Sequence, residues 1–192
     1  MKCANPLDAA ALFDYWVGKL DEPEVEAVEE HLFACDPCGE RLKEAIALAE
    51  GVRRLAMAGE LQTVVSEAFV KRAQDEGLRV RQYAVAAGDS VQCTVAAEDD
   101  FLIGRMEADL RGLGRVDLSL CDAQGAEMAR MEDIPFDGEA GSVLWQYSIT
   151  RAKAAPSETL VARLVAVEGD GERVIGEYTF HHTRTLPGPG AW

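Results

Sequence analysis

His31, Cys35 and Cys38 stand in an H-x3-C-x2-C arrangement, with Cys3 near the start of the chain. On a helix, Cys35 sits one turn beyond His31 on the same face, so an imidazole and a thiolate can converge on one ion. Cys38 follows across Asp36 and Pro37, the spacing at which two thiolates pinch a metal as a chain leaves a helix. Cys3 completes a tetrahedral set if the leader folds back. Such a Cys3His site for Zn2+ is of the closed structural type, with no open position for a substrate.

Other chemistries compete for these residues. Cys35 and Cys38 could be ordinary reduced cysteines near a surface histidine. A redox C-x-x-C pair should follow a strand and open a helix within a βαβ unit. Here the preceding segment, Pro23 to Ala34, reads as helix throughout. Thiolate ligands can themselves be oxidised. Cys3 pairing with Cys35 or Cys38 would expel zinc, so the site could double as a switch, unless a second domain receives the signal.

The elements that must position the ligands are legible from the apolar spacing. Asp8 precedes Leu12, Tyr15, Trp16 and Leu20 at helical intervals and is the expected N-cap of a first helix. Pro23 suits the first turn of a second, whose positive end Glu22, Glu24 and Glu26 favour. A third helix is expected from about Gly39 to Ala58, with Leu42, Ala45, Ile46, Ala49, Val52 and Leu55 as its stripe. A fourth is expected from about Glu60 to Glu76. Its stripe of Leu61, Val64, Val65, Ala68 and Phe69 has no partner forced on it by the spacing and is read as a partner-binding face. Three short helices bury little, and a structural zinc supplies the missing stability.

Beyond Gly77 the period changes to two. Val116, Leu118 and Leu120 alternate with Asp117, Ser119 and Cys121, and Val143, Trp145, Tyr147 and Ile149 form another row. Leu160 to Val167 reads as a central strand, and Val174, Gly176, Tyr178 and Phe180 as an inward row. Turn signals such as Gly88-Asp89 and Asp137-Gly138 separate these runs. The expected fold is α then β in two domains. Residues 1–76 form a small zinc-binding helical bundle, and residues 78–186 an antiparallel β-sandwich or jelly-roll-like barrel without intervening helices. Cys93 alternates with Val91 and Val95 as a buried small hydrophobe. His181 and His182 are adjacent, so on a strand they face opposite ways.

The chain carries a net charge of −15, which disfavours contact with nucleic-acid phosphates and favours basic partners. No apolar run approaches membrane-spanning length and no secretory signal opens the chain, so a cytoplasmic location is expected. No nucleophile–base or paired-carboxylate constellation identifies an enzyme.

The N-terminal module resembles the zinc-binding anti-sigma family. The matching residues are Leu12 to Leu20 (with Tyr15-Trp16 and Gly18-Lys-Leu20), Glu30-His31-Leu32, Cys35-Asp-Pro-Cys38 and Arg41-Leu42. The resemblance implies a helical module that clamps an extracytoplasmic-function sigma factor, wedged between its two DNA-reading domains. It implies Cys3 as fourth ligand and a soluble, cytoplasmic member with a β sensor domain. The histidine-rich cupin motif of one such sensor type is absent, since only three histidines are present. Docking to a non-sigma signalling partner is the competing reading.

Overall fold

A computed structural model describes Cys3, residues 5–169 and residues 171–186. The chain divides into two compact units, Met1–Ala56 and Met57–Trp192. It is α then β, as its periodicities require.

Helix α1 (Ala9–Trp16) starts where the Asp8 carboxylate accepts the Ala11 N–H at 2.7 Å. Helix α2 (Glu22–Ala34) opens with a reciprocal capping box. The Glu24 N–H donates to Asp21 at 3.0 Å, and the Asp21 N–H donates to the Glu24 carboxylate at 3.1 Å. Cys35 is extended and ends α2, and helix α3 (Asp36–Met57) begins at the next residue. It therefore starts ahead of the expected Gly39, because Pro37 is well suited to a first turn. Little is buried here. The buried apolar side chains among the described residues are Leu12, Val28, Cys38 and Ala56. Of the expected α3 stripe, Leu42, Ala45, Ile46 and Ala49 are half-buried, while Val52 and Leu55 are exposed.

The second unit begins with strand β1 (Thr63–Val65) and a short helix α4 (Glu67–Asp75), not the continuous helix expected over 60–76. The β-branched pair Val64-Val65 takes extended backbone, and Ser66 caps the helix by accepting the Phe69 N–H at 3.2 Å. Val70 packs with Ile103 and Leu144, and the Phe69 ring meets Phe101 edge-on with centroids 5.6 Å apart. Residues 57–76 thus go with the sheets, and the boundary falls at 56/57 instead of 76/78.

Strands β2 (Val80–Val85), β3 (Ser90–Cys93), β4 (Phe101–Glu107), β5 (Val116–Cys121), β6 (Glu127–Met131) and β7 (Ser142–Tyr147) follow. Helix α5 (Ile149–Ala154) and the long strands β8 (Glu158–Glu168) and β9 (Gly171–His182) complete the unit. Two open sheets result, ordered β1-β7-β4-β2 and β3-β9-β8-β5-β6, with the core between them. They are mixed, not purely antiparallel: β2 pairs with β4 and β3 with β9 in parallel. The turn at Gly88-Asp89 carries the chain from one sheet to the other, so β2 and β3 do not form a hairpin. Ile149, expected on a strand, opens α5, because Ser148 accepts the Arg151 N–H at 3.2 Å and caps it.

Two departures concern facing. The pairing of β8 with β9 shifts register at Leu164/Val165, leaving Ile175 as an extra residue between Gly176 and Val174. Every side chain before it changes face, so Val174 is exposed and Ile175 turns toward the core. Gly176 is needed there, since a Cβ would lie 2.6 Å from Cζ of Tyr178, whose hydroxyl donates to the Glu107 carbonyl at 2.8 Å. Strand β5 is buried on both faces. Asp117, expected outward, accepts from Arg115 at 3.0 Å, from Arg130 at 2.9 Å and from the Asp133 N–H at 2.9 Å. Burial alone would raise this carboxyl; the Arg115, Asp133 and Arg130 donors outweigh it and hold the group below its ordinary range.

Candidate metal centre

The turn between α2 and α3 builds the site. His31 lies in the last turn of α2, Cys35 caps that helix, and Cys38 sits in the first turn of α3. The N–H groups of Cys38 and Gly39 both donate to the Cys35 carbonyl at 3.1 Å, fixing the tight exit that brings the two thiols together. Cys3 arrives through the leader. Arg41 on α3 donates to the Leu7 carbonyl at 2.5 Å and ties this stretch to that helix. The Tyr15 hydroxyl donates to Glu29 at 3.2 Å and ties α1 to α2.

The donor atoms of Cys3, His31, Cys35 and Cys38 all lie within 4.8 Å of one another. Nε2 of His31 is 3.2 Å from Sγ of Cys38 and 3.6 Å from Sγ of Cys3. Tetrahedral zinc, with Zn–S near 2.3 Å and Zn–N near 2.0 Å, places neighbouring N and S ligands about 3.6 Å apart. The set fits Zn2+. Three thiolates leave a net negative charge on such a centre, and the positive end of the α3 dipole stands beside it. Cys38 is fully buried and the other three ligands half-buried, as a structural site requires. Among the described residues no other group of three or more His, Cys, Asp or Glu donors converges in this way.

The residues read as a partner-binding stripe are dispersed. Val64 and Val65 lie in β1, paired with Trp145 and Leu144 of β7, and Phe69 packs on Phe101. Leu61 is half-buried, with its carbonyl accepting from the Gln146 amide at 3.2 Å, and Ala68 is exposed. Val64, Val65 and Ala68 line a surface cleft of about 430 Å³ with Phe136 and Val143. The sequence reading missed Phe33, 91% exposed, and the row Leu48, Val52 and Leu55 on α3, exposed by 63%, 50% and 50%. Periodicity locates an apolar face but not what covers it. His181 and His182 face opposite ways as expected: His181 pairs with Thr159 at 3.0 Å, and His182 lines a cavity inside the β unit.

The first unit is therefore a zinc module of Cys3His type. Residues 9–39 match the family described as "Putative zinc-finger", a domain typical of anti-sigma factors. No curated protein matches the chain. Similar solved structures include the N-terminal domain of phage TP901-1 ORF48, 13% identical with a TM-score of 0.37, over 56% of this chain and 98% of that one. Another is CopC from Methylosinus trichosporium OB3b, 13% identical with a TM-score of 0.28, over 66% of this chain and 98% of that one. Among the described residues no helix is long and apolar enough to cross a membrane.

Proposed function

We propose that this protein is a cytoplasmic, non-enzymatic anti-sigma factor. In this reading its zinc-stapled helices sequester an extracytoplasmic-function sigma factor and hold it away from RNA polymerase and promoter. The observation that carries it is the distribution of exposed apolar surface. Trp16, Val17, Phe33, Leu48, Val52 and Leu55 are all exposed and all belong to the small helical unit. Leu48, Val52 and Leu55 recur at i, i+4 and i+7, so they form one row along α3. A concentration of this kind on a small, closed module marks a protein-docking surface. The net charge of −15 complements basic DNA-reading domains and disfavours phosphate contact. Val64, Val65 and Ala68 contribute, in this reading, only through the cleft they line.

Full-length, zinc-loaded protein should form a stable complex with one extracytoplasmic-function sigma factor of its host and abolish transcription from that factor's promoter. Val52→Asp should weaken the complex by about 2 kcal/mol or more without loss of zinc, by burying an unpaired charge in an apolar contact. The reading fails if the folded protein inhibits none of the host's factors. Capture of a non-sigma signalling protein on the same row would replace it.

A further inference from the structure

Helix α2 buries Val28, half-buries Val25 and Leu32 on the same side, and leaves Glu22, Glu26, Glu29, Glu30 and Phe33 exposed. Glu22, Glu26, Glu29 and Phe33 stand at i, i+4, i+7 and i+11, so they fall on one line along the helix, with Glu30 beside it. Phe33 closes that line at its C-terminal end and is 91% exposed.

The helix does not neutralise its own outer face. His31, a metal-ligand candidate, is the basic residue it carries. Among the described residues no Lys or Arg pairs with Glu22, Glu26, Glu29 or Glu30, and the partner of Glu29 is the neutral Tyr15 hydroxyl. Like charges one turn apart, as in Glu22–Glu26 and Glu26–Glu30, weaken a helix. Glu29 and Glu30 also stand toward the negative end of the helix dipole, where anions are disfavoured. A module with so small a core thus keeps a face that works against it, and local conflicts of this kind belong to functional surfaces.

The density of the charge says what would complete it. The four carboxylates occupy about 12 Å of helix axis, one per about 4 Å. One strand of duplex DNA carries a phosphate every ~3.4 Å. A protein surface shaped to hold such a strand meets in α2 a line of charge of the same sign and similar density. Phe33 adds an apolar anchor that a phosphate strand lacks. We propose that the outer face of α2 docks on the phosphate-contacting, Lys/Arg-rich surface of a DNA-binding protein, with Phe33 seated in an apolar socket beside it. The inference rests on the sigma-factor reading for the identity of the partner, and it adds which surface of that partner is taken. The carboxylates govern the encounter, through steering that salt screens. Phe33, a desolvated aromatic anchor in the complex, governs how long it lasts.

The test is photo-crosslinking in host cells with full-length protein carrying p-benzoylphenylalanine at position 33 or, separately, at position 52, the captured peptide being identified by mass spectrometry. Position 33 should capture a DNA-binding protein through a segment with several Lys or Arg residues beside apolar ones. With that partner purified, raising salt from about 50 to about 300 mM should slow association at least tenfold. The combined variant Glu22→Gln, Glu26→Gln and Glu30→Gln should slow it about tenfold at low salt, with zinc, helicity and dissociation rate retained. If that variant loses zinc, the salt dependence of the unaltered protein decides. Phe33→Ala should speed dissociation about tenfold, and duplex DNA should compete for the partner. A cross-link from position 52 without one from position 33, capture of a surface that is not basic, or association indifferent to salt would each overturn the assignment. A basic partner of another kind captured at position 33 keeps this surface and ends the sigma-factor reading. A sigma factor captured from position 52 alone does the reverse, and no cross-link from either position removes both.

Discussion

The helical unit buries Leu12, Val28, Cys38 and Ala56, and one of those four is a metal ligand. The β unit fills the space between its sheets with side chains such as Tyr178, Met106, Leu118 and Leu164, all essentially inaccessible to solvent. The first is held by ligands and caps, the second by packing. A domain that spends its apolar residues on a core has few left to show, and Met128 and Val174 are the large apolar residues the β unit exposes among those described. A domain stapled by a metal can leave Phe33, Leu48, Val52 and Leu55 outside. Zinc thus relieves the helical module of the conflict between being folded and being adhesive.

The largest effect that would break this comparison is loss of the metal. Cys38→Ser should remove zinc and, with it, stabilisation that for structural sites runs to ~10 kcal/mol or more. Helical signal from residues 1–56 should vanish while the β unit keeps its near-ultraviolet spectrum. Retention of both metal and helix in the mutant would show that packing suffices after all. Next in size is Leu164→Ala, at the centre of β8. It should lower the stability of the β unit by about 2–5 kcal/mol through a cavity in a packed core. Metal content, measured on the same sample, should not move; a joint fall would mean that the two units fold as one.

Smallest is the response to acid. Asp117 has its folded-state pKa lowered by Arg115, Asp133 and Arg130 against the opposing pull of burial. Its contribution is therefore complete above the unfolded value near 3.9 and is lost as pH falls through the lower folded value. Denaturant unfolding of the β unit between pH 5 and pH 2 should show this decline, and Asp117→Asn should flatten it. Parallel profiles for the two proteins would remove Asp117 from the acid limb.

The metal site was legible almost whole, because ligand type and spacing along one chain segment are local properties. Asp8, and Pro23 with Glu22, Glu24 and Glu26, likewise announced their helices through short-range chemistry; the Asp21–Glu24 capping box was not foreseen. What failed was long-range. Nothing near Val64 and Val65 says that β7 will pair with them, so a helical stripe was expected where a strand and a short helix pack on Ile103 and Leu144. Asp117 looked like an outward residue because alternation does not foresee two arginines closing over it. The extra residue at Ile175 inverted the face of Val174 for a related reason: period two survives only while the register does. Parallel pairing of β2 with β4 and of β3 with β9 needed knowledge of which sheet each strand joins, and no turn signal carries it.

The leader held by Arg41 has a kinetic corollary. His31, Cys35 and Cys38 form small chelate rings within eight residues of chain, whereas Cys3 lies 28 residues from His31. Closing a loop about seven times longer than the His31–Cys35 spacing carries roughly 1.7 kcal/mol more entropic cost by the logarithmic law. Cys3 is therefore the ligand that chain entropy releases first, and the Arg41–Leu7 bond is the latch that opposes its departure. His31, Cys35 and Cys38 would remain to hold the metal were Cys3 to leave. The Arg41–Leu7 hydrogen bond is therefore expected to set how readily a chelator strips this site.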